Sequence, residues 1–346
     1  MKKLGSFNEW DPLYEVVVGR VENARFPSFD QILRRSIPQE ALCDYDKLFG
    51  NNGDAIPLEI VSRAQDDLDT FISILVKEGV KVLRPEVSDF SKGFSTPEWY
   101  VKSSVSTANP RDVFLVIGDL IIECPMADRG RYYEAFPYRK ILLELHSRGF
   151  RWISAPKPQL DQSSYSSSGK FCVSDSEPLF DAADFVRCGK LIIGQLSHVT
   201  NQKGIDWLRS ILPAGFELKI IDSLCEGALH IDTTIIPLED GLLLVNPDFV
   251  DPQSLSCLLP EWQILIAPRP HSFYTTIGGY RIVSDWMSIN LLGIGNKKLI
   301  VEEKQKKLQE MLSLNGFEII TCPFESYYIF GGSFHCATLD VQRGSN

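Results

Sequence analysis

A recurring pattern of apolar runs restricts the fold of this chain more than any other feature of its sequence. Four times, a β-branched apolar run reaches a glycine-containing turn and a second apolar run follows, which is typical of a β-hairpin. These hairpin segments span residues 113–122, 185–193, 234–245 and 289–301. Each is followed by a stretch with helical spacing, at 132–146, 205–212, 252–259 and 303–314. Each helical stretch then leads to another short apolar run, at 151–154, 216–221, 263–266 and 317–320.

A weaker fifth copy opens the chain, with an apolar run at 15–19, a predicted helix at 60–78 and a further run at 80–83. Five strand–strand–helix–strand units indicate an array or a closed ring rather than several independent domains. The competing interpretation is an α+β domain in which the similarity of the units is accidental. We therefore predict an α/β protein in which residues 1–346 form a single domain.

Charge and cysteine usage narrow the expected partners and compartment. The chain has 45 Asp+Glu against 35 Lys+Arg, a net charge of -10, which argues against nucleic acid or an anionic membrane as its main partner. An acidic protein remains compatible with cationic small molecules. No segment reaches the roughly 18–20 apolar residues that span a bilayer. The eight cysteines are scattered without a Cys-x-x-Cys pair, so we predict a reduced, cytoplasmic protein with mostly free thiols.

Among the five histidines, His230 has the most suggestive surroundings. It lies at the predicted start of a strand, where side chains two residues apart point to the same side, so His230 and Asp232 should share one face. A base beside a carboxylate would suit a cationic substrate. The alternative is a buried His–Asp hydrogen bond that only holds the strand.

Asp181 and Asp184 lie within an apolar run. Burying two carboxylates is costly without partners, so they need a histidine, an arginine, backbone N–H groups or a substrate cation. The alternative is a capping or turn pair at the start of a strand.

Cys336 follows a glycine pair near the end of the chain. A thiol becomes a nucleophile only as the thiolate, which requires a nearby cation or histidine. On a strand, the adjacent His335 would point away from Cys336, so His230 is the best candidate to serve this thiol. The alternative is an inert buried thiol, as we expect for the other seven cysteines.

Cofactor signatures are not found in the sequence. The spacing of Cys, His and Asp resembles no established zinc pattern, and H-E-x-x-H does not occur. The pair Gly331–Gly332 lacks a following Lys-Ser/Thr, and no G-x-G-x-x-G opens a helix. We therefore predict neither a metal nor a nucleotide cofactor.

Several motifs, taken in order, resemble those of the amidinotransferases of the glycine and inosamine-phosphate type, nearly from end to end. They are residues 8–13, 110–112, 122–127, 155–158, 180–184, 230–232, 246–248 and 332–336. The resemblance implies a five-bladed pseudosymmetric β/α propeller with the active site at its centre.

The resemblance also implies roles for individual residues. Cys336 would be the nucleophile, His230 its general acid/base and Asp181 the carboxylate partner of that base. Asp112 and Asp232 would be the carboxylates that bind the guanidinium, and Ser284 would contact the substrate.

Two positions depart from the glycine enzymes. Those enzymes carry an arginine directly after Asn-Pro-Asp, where it holds the substrate carboxylate, and this chain has Phe249 there. Leu229 replaces the methionine that precedes their catalytic histidine. A carboxylate would need another anchor, for which Arg281 is a nearby candidate, so we expect an acceptor other than glycine, from secondary metabolism.

The resemblance thus predicts transfer of an amidino group from a guanidino donor, expected to be L-arginine, to an amine through a covalent amidino-Cys336 intermediate. The expected partners are these small-molecule substrates and, in a homodimer, a second copy of the chain. One alternative is a hydrolase of the arginine deiminase or dihydrolase type, in which water attacks the intermediate. Another is a guanidine-binding scaffold without catalysis.

Overall fold

A computed structural model describes residues 4–27, 30–37, 53–272 and 283–344, which form a mixed α/β structure. The strands of this part of the chain are β1 (Leu13–Val18), β2 (Lys81–Leu83), β3 (Phe94–Ser95), β4 (Tyr100–Val101), β5 (Phe114–Ile117), β6 (Leu120–Glu123), β7 (Arg151–Ser154), β8 (Phe185–Cys188), β9 (Leu191–Gln195), β10 (Glu217–Ile221), β11 (Ile235–Glu239), β12 (Leu242–Val245), β13 (Gln263–Ile266), β14 (Leu292–Gly295), β15 (Lys298–Glu302), β16 (Glu318–Cys322) and β17 (Thr338–Arg343).

The helices connect these strands. The α-helices are Gln31–Ser36, Leu58–Lys77, Pro110–Val113, Arg139–Ser147, Gln202–Ile211, Pro252–Leu258 and Lys306–Leu314. Short 3-10 helices are Arg129–Arg131, Phe136–Tyr138, Gln162–Ser164, Ala182–Asp184, Ile231–Thr233, Asp285–Ile289 and Glu325–Phe330. None of the helices in the described ranges has both the length and the apolar character that crossing a membrane requires.

Five of the sheets in the described ranges have three strands each and share one plan. The middle strand pairs antiparallel with one neighbour and parallel with the other, which follows it along the chain after a helix. These sheets are β17-β1-β2, β5-β6-β7, β8-β9-β10, β11-β12-β13 and β14-β15-β16. A two-stranded sheet, β3-β4, lies outside this plan.

The hairpins at 113–122, 185–193, 234–245 and 289–301 are present as predicted. Their turns use left-handed backbone: Gly189 has φ 72° between β8 and β9, and Gly241 has φ 76° between β11 and β12. Glycine adopts this conformation without the steric cost that other residues incur. The predicted helix from residue 132 was wrong in its first half, because Pro137 lies in a 3-10 helix and the α-helix begins at Arg139.

The fifth sheet joins the two ends of the described chain. β1 pairs with β17 from Leu13↔Arg343 to Val18↔Thr338, and it pairs in parallel with β2 on its other edge. The sequence pattern predicted β1, the following helix and β2, but it did not identify β17 as their partner. Pairing between such distant segments leaves no trace in a local pattern.

The long helix Leu58–Lys77 packs one apolar face into the core. The buried residues of that face are Ala64, Leu68, Phe71 and Leu75. The ring of Phe71 lies 5.1 Å from that of Phe334, two residues before Cys336. Aromatic packing of this kind favours tilted geometries and adds to the energy of burial. The helix therefore helps to fix the backbone that carries the Cys336 thiol.

A cluster of buried ion pairs, here called the base network, joins the first and last described segments of the chain to Arg111 and Arg187. It consists of Glu9, Arg111, Arg187, Asp340 and Arg343, each no more than 6% exposed at its side chain. Arg187 donates to both oxygens of Glu9 at 2.8 and 2.7 Å. Asp340 accepts from Arg111 and Arg343, each at 2.8 Å. Every charge of this network faces an opposite charge, as burial requires.

Candidate active site

The predicted catalytic residues occupy equivalent places in different sheets. Each lies on the segment that leads into the strand that pairs antiparallel with the middle strand of a sheet, here called a lead-in segment. Asp112, Asp181, His230 and Cys336 precede β5, β8, β11 and β17 respectively. Successive lead-in segments contact one another. The shared plan of the sheets therefore brings side chains from distant parts of the sequence to one place.

His230 lies between two carboxylates. Its Nε2 is 3.2 Å from Asp181 Oδ2 and its Nδ1 is 3.5 Å from Asp112 Oδ1. One reactive atom each of Asp112, His230 and Cys336 lies within 4.8 Å of the others, and all three side chains are buried. The arrangement places a thiol, an imidazole and a carboxylate within reach of a single small substrate.

The prediction that His230 and Asp232 share the face of a strand was wrong in its structural reasoning. His230 has extended backbone, but Asp232 lies in the 3-10 helix Ile231–Thr233 before β11 begins. Both side chains nevertheless line one cavity.

The interpretation of His335 also needs correction. His335 and Cys336 lie in a turn rather than a strand, and both reach the same carboxylate oxygen. Asp232 Oδ2 is 2.9 Å from His335 Nδ1 and accepts from Cys336 Sγ at 3.1 Å. The second nitrogen of His335, Nε2, is 3.4 Å from Glu9 Oε2. His335 therefore links Asp232 to the base network.

The surroundings of His230 favour its protonated form. Burial alone would lower the pKa of His230, but the charge of Asp112 and the hydrogen bond with Asp181 raise that pKa well above its usual value. A protonated imidazole beside the thiol can give a proton to a departing group.

The surroundings of Cys336 favour the thiol in the free protein. Burial, and then the negative charge of Asp232, raise the pKa of Cys336 to about 12, although a hydrogen bond with His230 acts in the opposite direction. The pKa of Asp232 is lowered despite its burial, because His335 hydrogen bonds to it. Burial raises the pKa of Asp112. A bound cation would favour the ionised form of all three groups.

Arg131 also belongs to this site, and the sequence analysis did not identify it. Its guanidinium lies 2.9 Å from Asp112 Oδ2, 3.6 Å from Asp181 Oδ2 and 2.6 Å from Glu134. These carboxylates raise the pKa of Arg131 against the effect of burial, so it stays charged. Arg131 thus holds the two carboxylates that flank His230. Neither its position nor its neighbours in the sequence form a pattern that marks it.

Three carboxylates of the site, here called the site carboxylates, keep one oxygen without a hydrogen bond in the described part of the chain. These buried oxygens are Oδ1 of Asp112, Oδ1 of Asp181 and Oδ1 of Asp232. Leaving a buried charged oxygen unpaired costs free energy. A ligand with several N–H donors and a positive charge would remove that cost.

Asp184, by contrast, has its partners within the protein. It accepts from Gln195 at 3.0 Å and from Ser197 at 2.6 Å, and Thr200 also donates to it. Burial raises the pKa of Asp184 to about 7. Of the two carboxylates in the apolar run, Asp181 therefore faces His230, while Asp184 is satisfied by neutral groups.

Two adjoining cavities, of about 180 and 440 Å³, meet at His230 and Leu229. Asp112 and Asp181 line the smaller one. The larger one is lined by further predicted residues, namely Asp232, Cys336, Ser284 and Phe249.

Phe249, Leu229 and Ser284, three of the predicted substrate contacts, line the larger cavity. Phe249 and Leu229 are partly buried and contribute apolar surface. Ser284 caps the 3-10 helix Asp285–Ile289, where its hydroxyl accepts from Trp286 N at 3.2 Å. Arg281 lies outside the described residues.

The spacing of Asp112, His230 and Cys336 would also permit these side chains to hold a metal ion. One thiol, one imidazole and one carboxylate are acceptable zinc ligands. The same atoms surround the place where a guanidinium would lie, so a metal ion and a cationic substrate would compete for this space.

Comparisons with known proteins were made for the sequence and for the fold. No family model matches the chain. It is 37% identical to an L-arginine:L-lysine amidinotransferase of Pseudomonas savastanoi pv. phaseolicola, over 98% of this chain and 94% of that protein.

Two solved structures resemble the chain over nearly all its length. An amidinotransferase of the saxitoxin biosynthetic pathway from Microseira wollei is 47% identical, with TM-score 0.93 over 99% of this chain and 98% of that one. An inosamine-phosphate amidinotransferase from Streptomyces griseus is 32% identical, with TM-score 0.90 over 100% and 98%.

A dimethylarginine dimethylaminohydrolase resembles the chain in fold alone, at 16% identity and TM-score 0.59 over 94% of this chain and 99% of that one. The fold is therefore the propeller-like one that these enzymes share. The identities of 32–47% over nearly the full length are with proteins of one activity class. The chain belongs to the amidinotransferase family and is a transferase.

Proposed function

We propose that this enzyme moves an amidino group from L-arginine to a small amine through a covalent intermediate on Cys336. The observation that carries the proposal is the convergence of Cys336, His230 and Asp112 within 4.8 Å, beside carboxylates with unpaired oxygens. L-Arginine is proposed as donor because a relative that is 37% identical is named as an L-arginine:L-lysine enzyme.

The donor guanidinium is planar and cationic, so its carbon is a poor electrophile until the group is oriented and its charge is balanced. Asp112 and Asp232 would accept its N–H groups, which satisfies the unpaired oxygens of both carboxylates. The bound cation also stabilises the thiolate, so Cys336 releases its proton to solvent more readily when the donor is present and regains a proton from solvent when the product leaves.

The first half-reaction forms one bond and breaks another. The Cys336 thiolate attacks the guanidinium carbon, and His230 gives its proton to the nitrogen that leaves as the amine of ornithine. The C–N bond breaks and an amidino group remains on sulfur. Asp181, 3.2 Å from His230 Nε2, holds the imidazole in place and stabilises its charge.

The second half-reaction reverses these roles. The acceptor amine attacks the carbon on sulfur, His230 takes a proton from that amine, and the Cys336 thiolate leaves. The product is a new guanidinium and a free enzyme, in a ping-pong sequence. No step requires a metal ion or a nucleotide.

The acceptor is proposed to be an amine of secondary metabolism rather than glycine. Phe249, where glycine enzymes have an arginine, adds apolar surface to the larger cavity, as Leu229 does. The relative that is 47% identical is described as part of a biosynthetic pathway for saxitoxin. We also propose that the five sheets close into one five-bladed ring, with residues 1–346 as a single domain, because successive lead-in segments contact one another.

The test is to incubate the enzyme with L-arginine alone and to measure intact mass and released products. A transferase should gain the mass of one amidino group and release at most one ornithine per active site until an amine is added. A screen of amines should then restore turnover and identify the acceptor.

Two variants locate the adduct. Cys336→Ala should show no mass gain, whereas Cys322→Ala, which removes another buried thiol, should still be modified. Continuous release of citrulline or urea from arginine alone would instead identify a hydrolase. A mass gain retained by Cys336→Ala would contradict the covalent mechanism.

A further inference from the structure

Four of the five lead-in segments supply Asp112, Asp181, His230 and Cys336 to the site, and the remaining one leads into β14. Its last polar residue is Asn290, two residues before β14, as Cys336 is two residues before β17. Asn290 is completely buried. Its place before its strand is therefore equivalent to that of Cys336.

The side-chain amide of Asn290 contacts the thiol directly. Asn290 Nδ2 donates to Cys336 Sγ at 3.1 Å. Its Oδ1 accepts from the backbone N–H of His335 at 3.1 Å and from that of Cys336 at 3.2 Å. The two backbone donors fix the orientation of the amide, because a flipped side chain would place its NH₂ against two N–H groups. The amide N–H must therefore face the sulfur.

The partners of Sγ differ in what they do when the proton leaves. Asp232 Oδ2, 3.1 Å from Sγ, accepts from the thiol and repels the thiolate. The N–H of Asn290 donates to sulfur in both states and more strongly to the anion, since charge-assisted hydrogen bonds are the stronger ones. Being neutral, it does so without repelling a cationic substrate.

We propose that Asn290 is a catalytic residue of amidino transfer, whose N–H donor aims the Cys336 sulfur and stabilises it as thiolate. This inference rests on the proposed function, because it takes Cys336 as the nucleophile. The same hydrogen bond acts twice, when the Cys336 thiol loses its proton before attack and when the thiolate leaves in the second half-reaction. Both times negative charge develops on sulfur in a buried place, where a preorganised donor is most effective.

The decisive variant is Asn290→Asp, which keeps an oxygen for the two backbone N–H groups and removes the donor to sulfur. Alkylation of Cys336 by iodoacetamide, located by mass spectrometry, follows the thiolate fraction. Its rate is measured at pH values below the midpoint, where the rate rises about tenfold per pH unit and a shift of the midpoint displaces the whole rate–pH profile. The midpoint should move upward by about one to two pH units, since a donor to a charged group is lost and a charge is added. Transfer from L-arginine should fall mainly in kcat.

A second variant separates the lost donor from the added charge. Asn290→Ser keeps a polar atom near the two backbone N–H groups, but its side chain is too short to reach sulfur. Its alkylation midpoint should rise by about one pH unit, which is a tenfold lower rate below the midpoint.

Asn201→Asp is the matched control. Asn201 is also buried, and its Oδ1 accepts from the backbone N–H of Leu179 at 3.1 Å and of Gly204 at 2.8 Å. Its Nδ2 donates to backbone carbonyls instead of a thiol. The same change at Asn201 should lower thermal stability and leave the alkylation midpoint of Cys336 where it was.

A native midpoint in folded Asn290→Asp and Asn290→Ser, with folding checked by circular dichroism, would overturn the proposal. Loss of the fold in both variants would assign Asn290 to holding the turn and would also overturn it. The alkylation assay needs no substrate. If the variants shift the midpoint but the native enzyme transfers no amidino group, the proposed function is rejected and the role of Asn290 towards the thiol stands.

Discussion

The base network and the site carboxylates are two sets of equally buried charges that meet at His335. In the base network, Glu9 and Asp340 face arginines on each side, and these arginines lower the pKa of both carboxyls despite burial. Each site carboxylate instead retains one oxygen without a hydrogen bond. Burial is thus the same, and the number of partners differs. A buried carboxylate paired within the chain holds the fold, whereas one left incompletely paired is available for a ligand.

The largest expected effect comes from removing charge at the site. Asp181→Asn should lower kcat/KM for amidino transfer by about 10³–10⁴, since the amide no longer stabilises or orients the protonated His230. The free energy of unfolding, measured with urea, should not fall by more than about 1 kcal/mol. Activity within tenfold of native, or an unfolded variant, would place Asp181 with the structural carboxylates.

In the base network, removing a charge should reduce stability. Arg187→Met removes a partner of both Glu9 and Asp340 and should lower the free energy of unfolding by about 3–5 kcal/mol. Arg151→Met is the matched control, because Arg151 pairs with Asp119 at a side-chain exposure of 56% and its loss should cost below about 1 kcal/mol. Equal losses in the two variants would show that the base network does not stabilise the fold.

The difference in the free energy of unfolding between the native protein and Arg187→Met should depend on pH. The pKa values of Glu9 and Asp340 are lower in the folded state, so their contribution to stability is present above their unfolded values, near 4. That contribution is lost as pH falls towards the lower folded values. The stability difference between native protein and Arg187→Met should therefore narrow in acid, and a constant difference would contradict the ion-pair explanation.

At Asp232, which His335 links to the base network, we expect two smaller effects of opposite sign, one on thiol alkylation and one on amidino transfer. Removing its charge in Asp232→Asn should lower the pKa of Cys336 and raise the rate of iodoacetamide alkylation at pH 8 by about tenfold. Amidino transfer should fall, because one carboxylate for the guanidinium is lost. Asp119→Asn, an exposed change, should alter neither rate. Slower alkylation in Asp232→Asn would reject the electrostatic account of the thiol.

The smallest expected effect is that of metal removal. Dialysis against EDTA should leave the rate of transfer within twofold of native, because in the proposed mechanism thiolate, imidazole and carboxylates supply every proton and charge that the reaction needs. Loss of activity that zinc restores would instead make Asp112, His230 and Cys336 metal ligands.

The sequence predicted those parts of the fold that local patterns determine. The sequence predicted the hairpin turns at Gly189 and Gly241 and the helix Leu58–Lys77, because these features depend on neighbouring residues. It did not predict the pairing of β1 with β17, because that pairing depends on residues far apart in the sequence.

The residues of the site also fall into those that the sequence predicted and those that it did not. Cys336, His230 and Asp181 could be named because they stand in motifs that resemble a family, and the structure brings them together, although their catalytic roles remain proposals. Arg131 and Asn290 act through contacts across the fold, to Asp112 and to Cys336, so no spacing in the sequence reveals them. His335 was misjudged because its segment is a turn and not a strand.

The pairing of β1 with β17 has a consequence for biosynthesis. Val18, in the first strand, pairs with a strand that starts at Thr338, two residues after Cys336. A ribosome must therefore translate almost all of this sequence before that sheet can be completed. The completed sheet and the Cys336 thiol, which is the proposed nucleophile, therefore become available together, only after the segment 336–343 has been synthesised.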